Sequence, residues 1–286
     1  MHRILALLLA TAFLAAAVPD ADAQTARKAR QEVEATLLVT GHVDIDRTGQ
    51  VSAFAVDEPD KLPPPVASLV NRAVPQMRFE PVLVDGAPVL ARAKMSLRML
   101  ATPLDDGNMT LRIASANFGD EYAPDDAARV RSASMPPPRY PENVARGGGK
   151  GTVYLLLQIG RDGKVRDVVA EQVNLNAIGT AREMESIRRD LARSAVDTAR
   201  REWTFTPPSE GEAASQDYWV LRVPVSFQLH GDRETAYGQW SAYHPGELVR
   251  PDWAQPTPPG FSPDALVAGT VSPETSRFRL LTPLGG

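Results

Sequence analysis

Gly151-Thr-Val-Tyr-Leu-Leu-Leu-Gln-Ile159 followed by Gly160-Arg-Asp-Gly163-Lys-Val165 decides the fold. Val153, Leu155, Leu157 and Ile159 fall at every second position with β-formers between them, which predicts a strand with one fully buried face. Asp162-Gly163 supplies the positive φ that a tight hairpin requires, so the chain is expected to return through Val165 to Val169 as the antiparallel partner.

A helix comes next, and its start is marked twice. Thr180 is placed to cap the free backbone amides, and Glu183 reaches back to complete a capping box. Met184, Ile187, Leu191, Ala195, Ala199 and Trp203 recur at steps of three or four and form one apolar stripe, fit to cover the hairpin. Pro207-Pro208 stops the helix, and Phe205 lies in its extended exit. A last strand runs from Tyr218 to Leu229, with Trp219, Leu221, Val223, Val225 and Phe227 alternating with mostly polar residues. Pro224 has no amide to donate, which places that strand at an edge or a bulge.

The same order occurs earlier with weaker signals. Val43 and Ile45 precede Asp46-Arg-Thr-Gly49, residues 51–56 return, and Val66, Leu69, Val70, Ala73 and Val74 make a short helical stripe stopped by Pro75. Arg78-Phe79-Glu80-Pro81 stands where Thr204-Phe205-Thr206-Pro207 stands later, and Ala93, Met95, Leu97 and Met99 occupy the final strand. Residues 108–118 hold Met109, Leu111 and Ile113 at strand spacing and offer a fourth strand. The expected fold class is therefore α+β: two small strand-strand-helix-strand units, each an antiparallel sheet packed by a helix, duplicated within one chain.

Met1-His2-Arg3, an apolar run over residues 4–17 and Ala21-Asp22-Ala23 read as a cleaved secretory signal, residues 1–23. The run is shorter than the roughly 20 residues a membrane-crossing helix needs, which leaves an uncleaved inner-membrane anchor as the lesser alternative. The expected location is the periplasm. With 0 cysteines, no disulfide can staple either core. A net charge of -4 spread along the chain argues against nucleic-acid binding. The expected divisions are a first unit at 24–120, a linker at 121–135, a second unit at 136–230 and a tail at 231–286. The tail holds eight prolines and no sustained periodicity, but its Tyr237, Trp240, Tyr243 and Trp253 argue for irregular packing on the second unit, with partner binding or a mobile linker as the alternatives.

Over approximately residues 136–230 the chain resembles the C-terminal domain of the TonB energy-transducer family. The resemblance rests on Pro137-Pro-Arg-Tyr140-Pro141 with Ala145 and Gly149, Gly151-Thr-Val, Gly160-Arg-Asp-Gly163-Lys-Val165, Ala199-Arg-Arg-Glu-Trp203 with Phe205 and Pro207, Gly211, and Val223-Pro-Val-Ser-Phe227. The first unit looks like a degenerate copy without the tyrosine-proline entrance or the tryptophan. The resemblance implies a helix on an antiparallel sheet that receives an extended segment of an outer-membrane transporter along an edge strand. Trp219, Leu221, Val223, Val225 and Phe227 would be that edge. Tyr140, Pro141, Gly163, Trp203, Phe205 and Pro207 would be structural motif residues. A cleavable N-terminal segment and the lack of a long proline-rich rod count against energy transduction itself.

Other chemistry finds little support. Gly147-Gly-Gly-Lys150-Gly-Thr152 fails the phosphate-loop pattern because Val144 stands where its first glycine belongs. His42, Asp44 and Asp46 share a strand face, but metal sites draw ligands from more than one segment. His230, Asp232 and Ser226 or Ser241 lack the setting of a nucleophile. No enzyme activity, cofactor, metal or catalytic residue is expected. The leading expectation is a periplasmic module binding a protein or extended peptide. A structural or assembly protein, packing its units or forming homodimers, is the alternative.

Overall fold

Leu37, Val39, Val43 and Ile45 sit at alternate positions of β1 (Glu34–Ile45) and are all buried. β1 opens the described part of the chain in a computed structural model that describes 34–104, 108–121, 125–177, 179–229, 231 and 235–285. The expected secretory segment, residues 1–23, lies outside them, as do His230 and Asp232. β1 pairs along one margin with β3 (Ala91–Pro103), which pairs in turn with β4 (Met109–Gly119). Its other margin is about 40 Å long and holds two partners end to end, β2 (Val51–Val56) at residues 41–45 and a strand of the tail at residues 34–36. Helix α1 (Pro64–Ala73) lays Val66, Leu69 and Val70 on this sheet, so the 108–118 stretch is the fourth strand. The final strand begins at Ala91 because Leu83–Val84 and Ala87–Pro88 fold back as a separate hairpin around Asp85-Gly86, both at positive φ.

The second unit begins with β5 (Arg131–Ser134) and the short α2 (Glu142–Arg146), followed by β6 (Gly151–Gly160) and β7 (Val165–Leu175). Helix α3 (Ala181–Glu202) follows, then β8 (Thr204–Thr206) and β9 (Tyr218–Phe227). The capping box forms: Glu183 N–H donates to the Thr180 hydroxyl at 3.3 Å, and Thr180 N–H donates to the Glu183 carboxylate at 2.9 Å. Leu191, Ala195 and Ala199 of α3 close over Val153, Leu155, Leu157 and Ile159. β5 pairs with β8, so part of the stretch expected to be a linker is strand.

The two units share one close contact. Phe79 N–H donates to Gly49 O at 2.8 Å, and Phe205 N–H donates to Gly163 O at 2.8 Å. A Cβ on Gly49 would stand 2.0 Å from Phe79 O, and one on Gly163 would stand 2.1 Å from Phe205 O. In each case the turn leaves room for the chain that exits the helix only if no side chain is present. The described residues are α+β, with antiparallel sheets and few helices.

The tail follows a longer path than irregular packing on one unit. Its strand β10 (Ser241–Tyr243) pairs with β1. His244 then exchanges two 3.0 Å backbone bonds with Leu175 on the outer margin of β7, and Val249 N–H donates to Glu171 O at 2.8 Å. The turn Pro263–Ala265 is buried between the sheets and touches β3, β4, β7 and β9. Strand β11 (Ser272–Pro273) pairs with β9, and Phe278 and Leu280 end in the first core. There Glu80 N–H donates to Arg279 O and Leu281 N–H to Arg78 O, so the chain end lies beside Phe79 as β5 lies beside Phe205. Because the tail and the first sheet cover its second face, β6 also buries Tyr154 and Leu156. One buried face was expected.

Candidate protein-binding edge

Alternation along β9 sends Trp219, Leu221, Val223, Val225 and Phe227 toward α3, where the first three and Phe227 are buried and Val225 is partly so. These side chains pack into the core under α3. Their apolar alternation makes the inner face, so the opposite face and the outer backbone margin belong to the residues between them. Val220 O accepts from Glu274 N–H at 3.0 Å, Arg222 pairs with Ser272, and Pro224 O accepts from Gly269 N–H at 3.1 Å. The backbone of Val220, Arg222 and Pro224 therefore faces outward, and the missing amide of Pro224 costs no bond to β6. In this structure the chain's own tail occupies that margin. Toward Tyr218, which is 40% exposed, the margin runs into a groove of about 620 Å³ lined by Val130, Pro208, Asp217, Trp219 and Val271.

Under β11 lies a buried charge cluster. Arg222 grips Glu171 of β7 with two hydrogen bonds, Nε to Oε2 at 2.7 Å and Nη2 to Oε1 at 2.9 Å, and these side chains are only 2% and 1% exposed. Arg222 Nη1 also donates to Glu274 O at 2.7 Å, and its guanidinium lies over Phe261, 4.8 Å from the ring centre. Arg250 stands 3.9 Å from Glu171 and 3.8 Å from Glu274. Burial pushes the Glu274 carboxyl above its ordinary value, against the pull of the Gln255 amide and the two guanidiniums. Two cations and two carboxylates balance, as a buried set must.

A second polar set holds the tail turn between the sheets. Asp264 accepts from Ser115 at 2.9 Å and from the Tyr243 hydroxyl, and its carbonyl accepts from Arg98. Burial raises Tyr243, with the Asp264 carboxylate adding to the effect, and burial pushes Tyr154 up to about 12. Arg222, Glu171, Glu274, Arg250 and Asp264 went unmarked in the sequence because isolated charges in strands and loops read as wet. One available signal was the unbroken apolar run Tyr154-Leu155-Leu156-Leu157, which suits a strand buried on both faces better than a half-buried one.

The motif residues have structural surroundings. The Tyr140 hydroxyl donates to Gly149 O at 2.5 Å, and its ring meets Phe227 edge-on at 5.5 Å. Pro141 stands at the N-cap of α2. Trp203 donates from its indole to Pro136 O at 2.9 Å, Phe205 is buried, and Pro207 lies against Gly163. Of the acidic residues on β1 and its turn, Asp44 is held by Arg92 at 2.6 and 2.9 Å. Asp46 accepts from Thr48 and Gln50 inside the turn. No cluster suited to a metal ion occurs among the described residues. None of their helices is long and apolar enough to cross a membrane.

Over 102 residues the chain is 33% identical to Protein TonB of Xanthomonas campestris pv. campestris strain B100 and to Protein TonB of strain ATCC 33913. Each alignment takes in 35% of this chain and 39% of the relative, so the chain spans about two fifths of the length of the curated relatives it matches. No family model matches the chain. No solved structure matches it.

Proposed function

We propose that this chain is a periplasmic protein of the cell envelope whose second unit binds an extended protein segment along the outer margin of β9. The partial similarity to Protein TonB supports an envelope role, and a transporter of the outer membrane is the kind of partner that similarity suggests. The observation that supports the reading is the margin itself, whose Val220, Arg222 and Pro224 pair with the chain's own residues 269–274. In this reading the units at 24–120 and 136–230 descend from one duplicated unit, joined by 121–135, and only the second keeps the tyrosine-proline entrance.

The test is an array of extended peptides covering periplasm-facing segments of outer-membrane transporters, probed with the natural chain and with Val220→Pro. That substitution removes an outward amide and leaves the bonds to β6 in place. Peptides retained by the natural chain are expected to be lost by the variant. Equal retention by two folded proteins contradicts edge binding.

The tail favours a second reading, a structural or assembly protein, because it ties both sheets together and borders β7 and β9 alike. A concentration series in sedimentation velocity separates the two readings. Self-association without peptide binding supports the second.

A further inference from the structure

β11 holds β9 with little of what a strand can offer. Its registered pairs are only Leu221 with Pro273 and Arg222 with Ser272, and of these only Arg222 turns its backbone toward the tail, since Leu221 faces β6. On one side of it the chain turns away, with Thr270 N–H bonded back to Val267 O at 3.2 Å and Gly269 at φ +75°. The firmest attachment is Glu274, through its own N–H to Val220 O and through its carbonyl to Arg222.

The charge cluster decides what remains if this segment lifts. Arg222 and Glu171 belong to the sheet, and Arg250 belongs to the part of the tail docked beside β7 near Val249. Loss of Glu274 alone would leave two guanidiniums facing one carboxylate. Arg250 Nη2 is already buried without a hydrogen-bond partner, although Glu274 Oε1 stands 3.8 Å away. The site therefore has a donor in reserve for a carboxylate placed closer than that of Glu274.

We propose that residues 266–275 are a resident occupant of the β9 margin that an incoming strand must displace, and that the incoming segment carries a carboxylate to the Arg222–Arg250 site. This inference rests on the edge-binding reading above and adds both its regulation and its partner chemistry. An acidic extended peptide restores the balance that departure of the latch upsets. A neutral one leaves a buried excess of positive charge.

The probe is a labelled peptide with the sequence of residues 266–276, used alongside the same peptide with glutamine at its glutamate. The proteins are the full natural chain, Gly269→Pro and Glu274→Gln, with folding of each checked by its urea-unfolding midpoint. Because an occupied site taxes affinity by the fraction of chains that are open, both variants are expected to bind the acidic probe about tenfold more tightly than the natural chain. Both should bind the glutamine probe about tenfold more weakly than the acidic one. Equal, measurable binding by all three proteins overturns the latch and leaves edge binding standing. Equal binding of the two probes overturns the carboxylate preference. If no folded protein binds either probe while transporter peptides still bind, the latch falls alone. If those peptides fail as well, both readings fall.

Discussion

Gly163 and Gly49 hold φ at +74° and +82° with the carbonyl of a buried phenylalanine pressed against each Cα. Alanine at either position adds both left-handed strain and a backbone collision. Gly163→Ala is expected to cost about 2–3 kcal/mol in urea unfolding, with Gly49→Ala alike. Arg222→Met leaves Glu171 buried without its bidentate partner and should cost about 3–5 kcal/mol, most of it recovered when Glu171→Met is added. His244 gives the pH signature. Burial, with Arg188 nearby, holds its imidazole below the ordinary value, and its Nε2 is buried without a partner. The unfolded chain then binds a proton that the folded chain resists, so this contribution is present above about pH 6.5 and is lost as pH falls below it. Replacing His244 by Asn should flatten that acid limb relative to the natural chain in unfolding midpoints measured from pH 5 to 8.

The elements with strong local rules are legible in the sequence. The β6–β7 hairpin, the capped helix α3 and the alternation of β9 each follow from periodicity, turn chemistry or capping, and the shared Gly–Phe positions are marked by matching residues. What was hidden depends on tertiary contact. β10 and β11 have three and two residues, too few to carry a period, and they are strands only because β1 and β9 present unpaired backbone. The burial of Trp219, Leu221 and Val223 on the inner face depends on the same contacts: an alternating strand shows which residues share a face, but not which face meets a neighbour. At this scale, exchange is expected to separate the elements. The amide of Leu175, bonded to His244 O, should lose protection in a chain ending at residue 240, while that of Leu157 keeps it.

At the scale of the molecule, the tail is the organising feature. It begins on β1, crosses to β7, passes between the sheets at Asp264, closes β9 and ends against Phe79. A chain ending at residue 240 therefore loses contacts to both cores and bares the margins of β7 and β9, and it is expected to self-associate in sedimentation velocity at concentrations where the full chain does not. The account depends on β9 releasing the tail without releasing β6. Amide hydrogen exchange of the intact chain reads this directly. Val220 and Arg222, which face the tail, should exchange at least about tenfold faster than Leu221 and Val223, which face β6, through openings smaller than global unfolding. A single common rate for all four, set by unfolding of the whole chain, would contradict it.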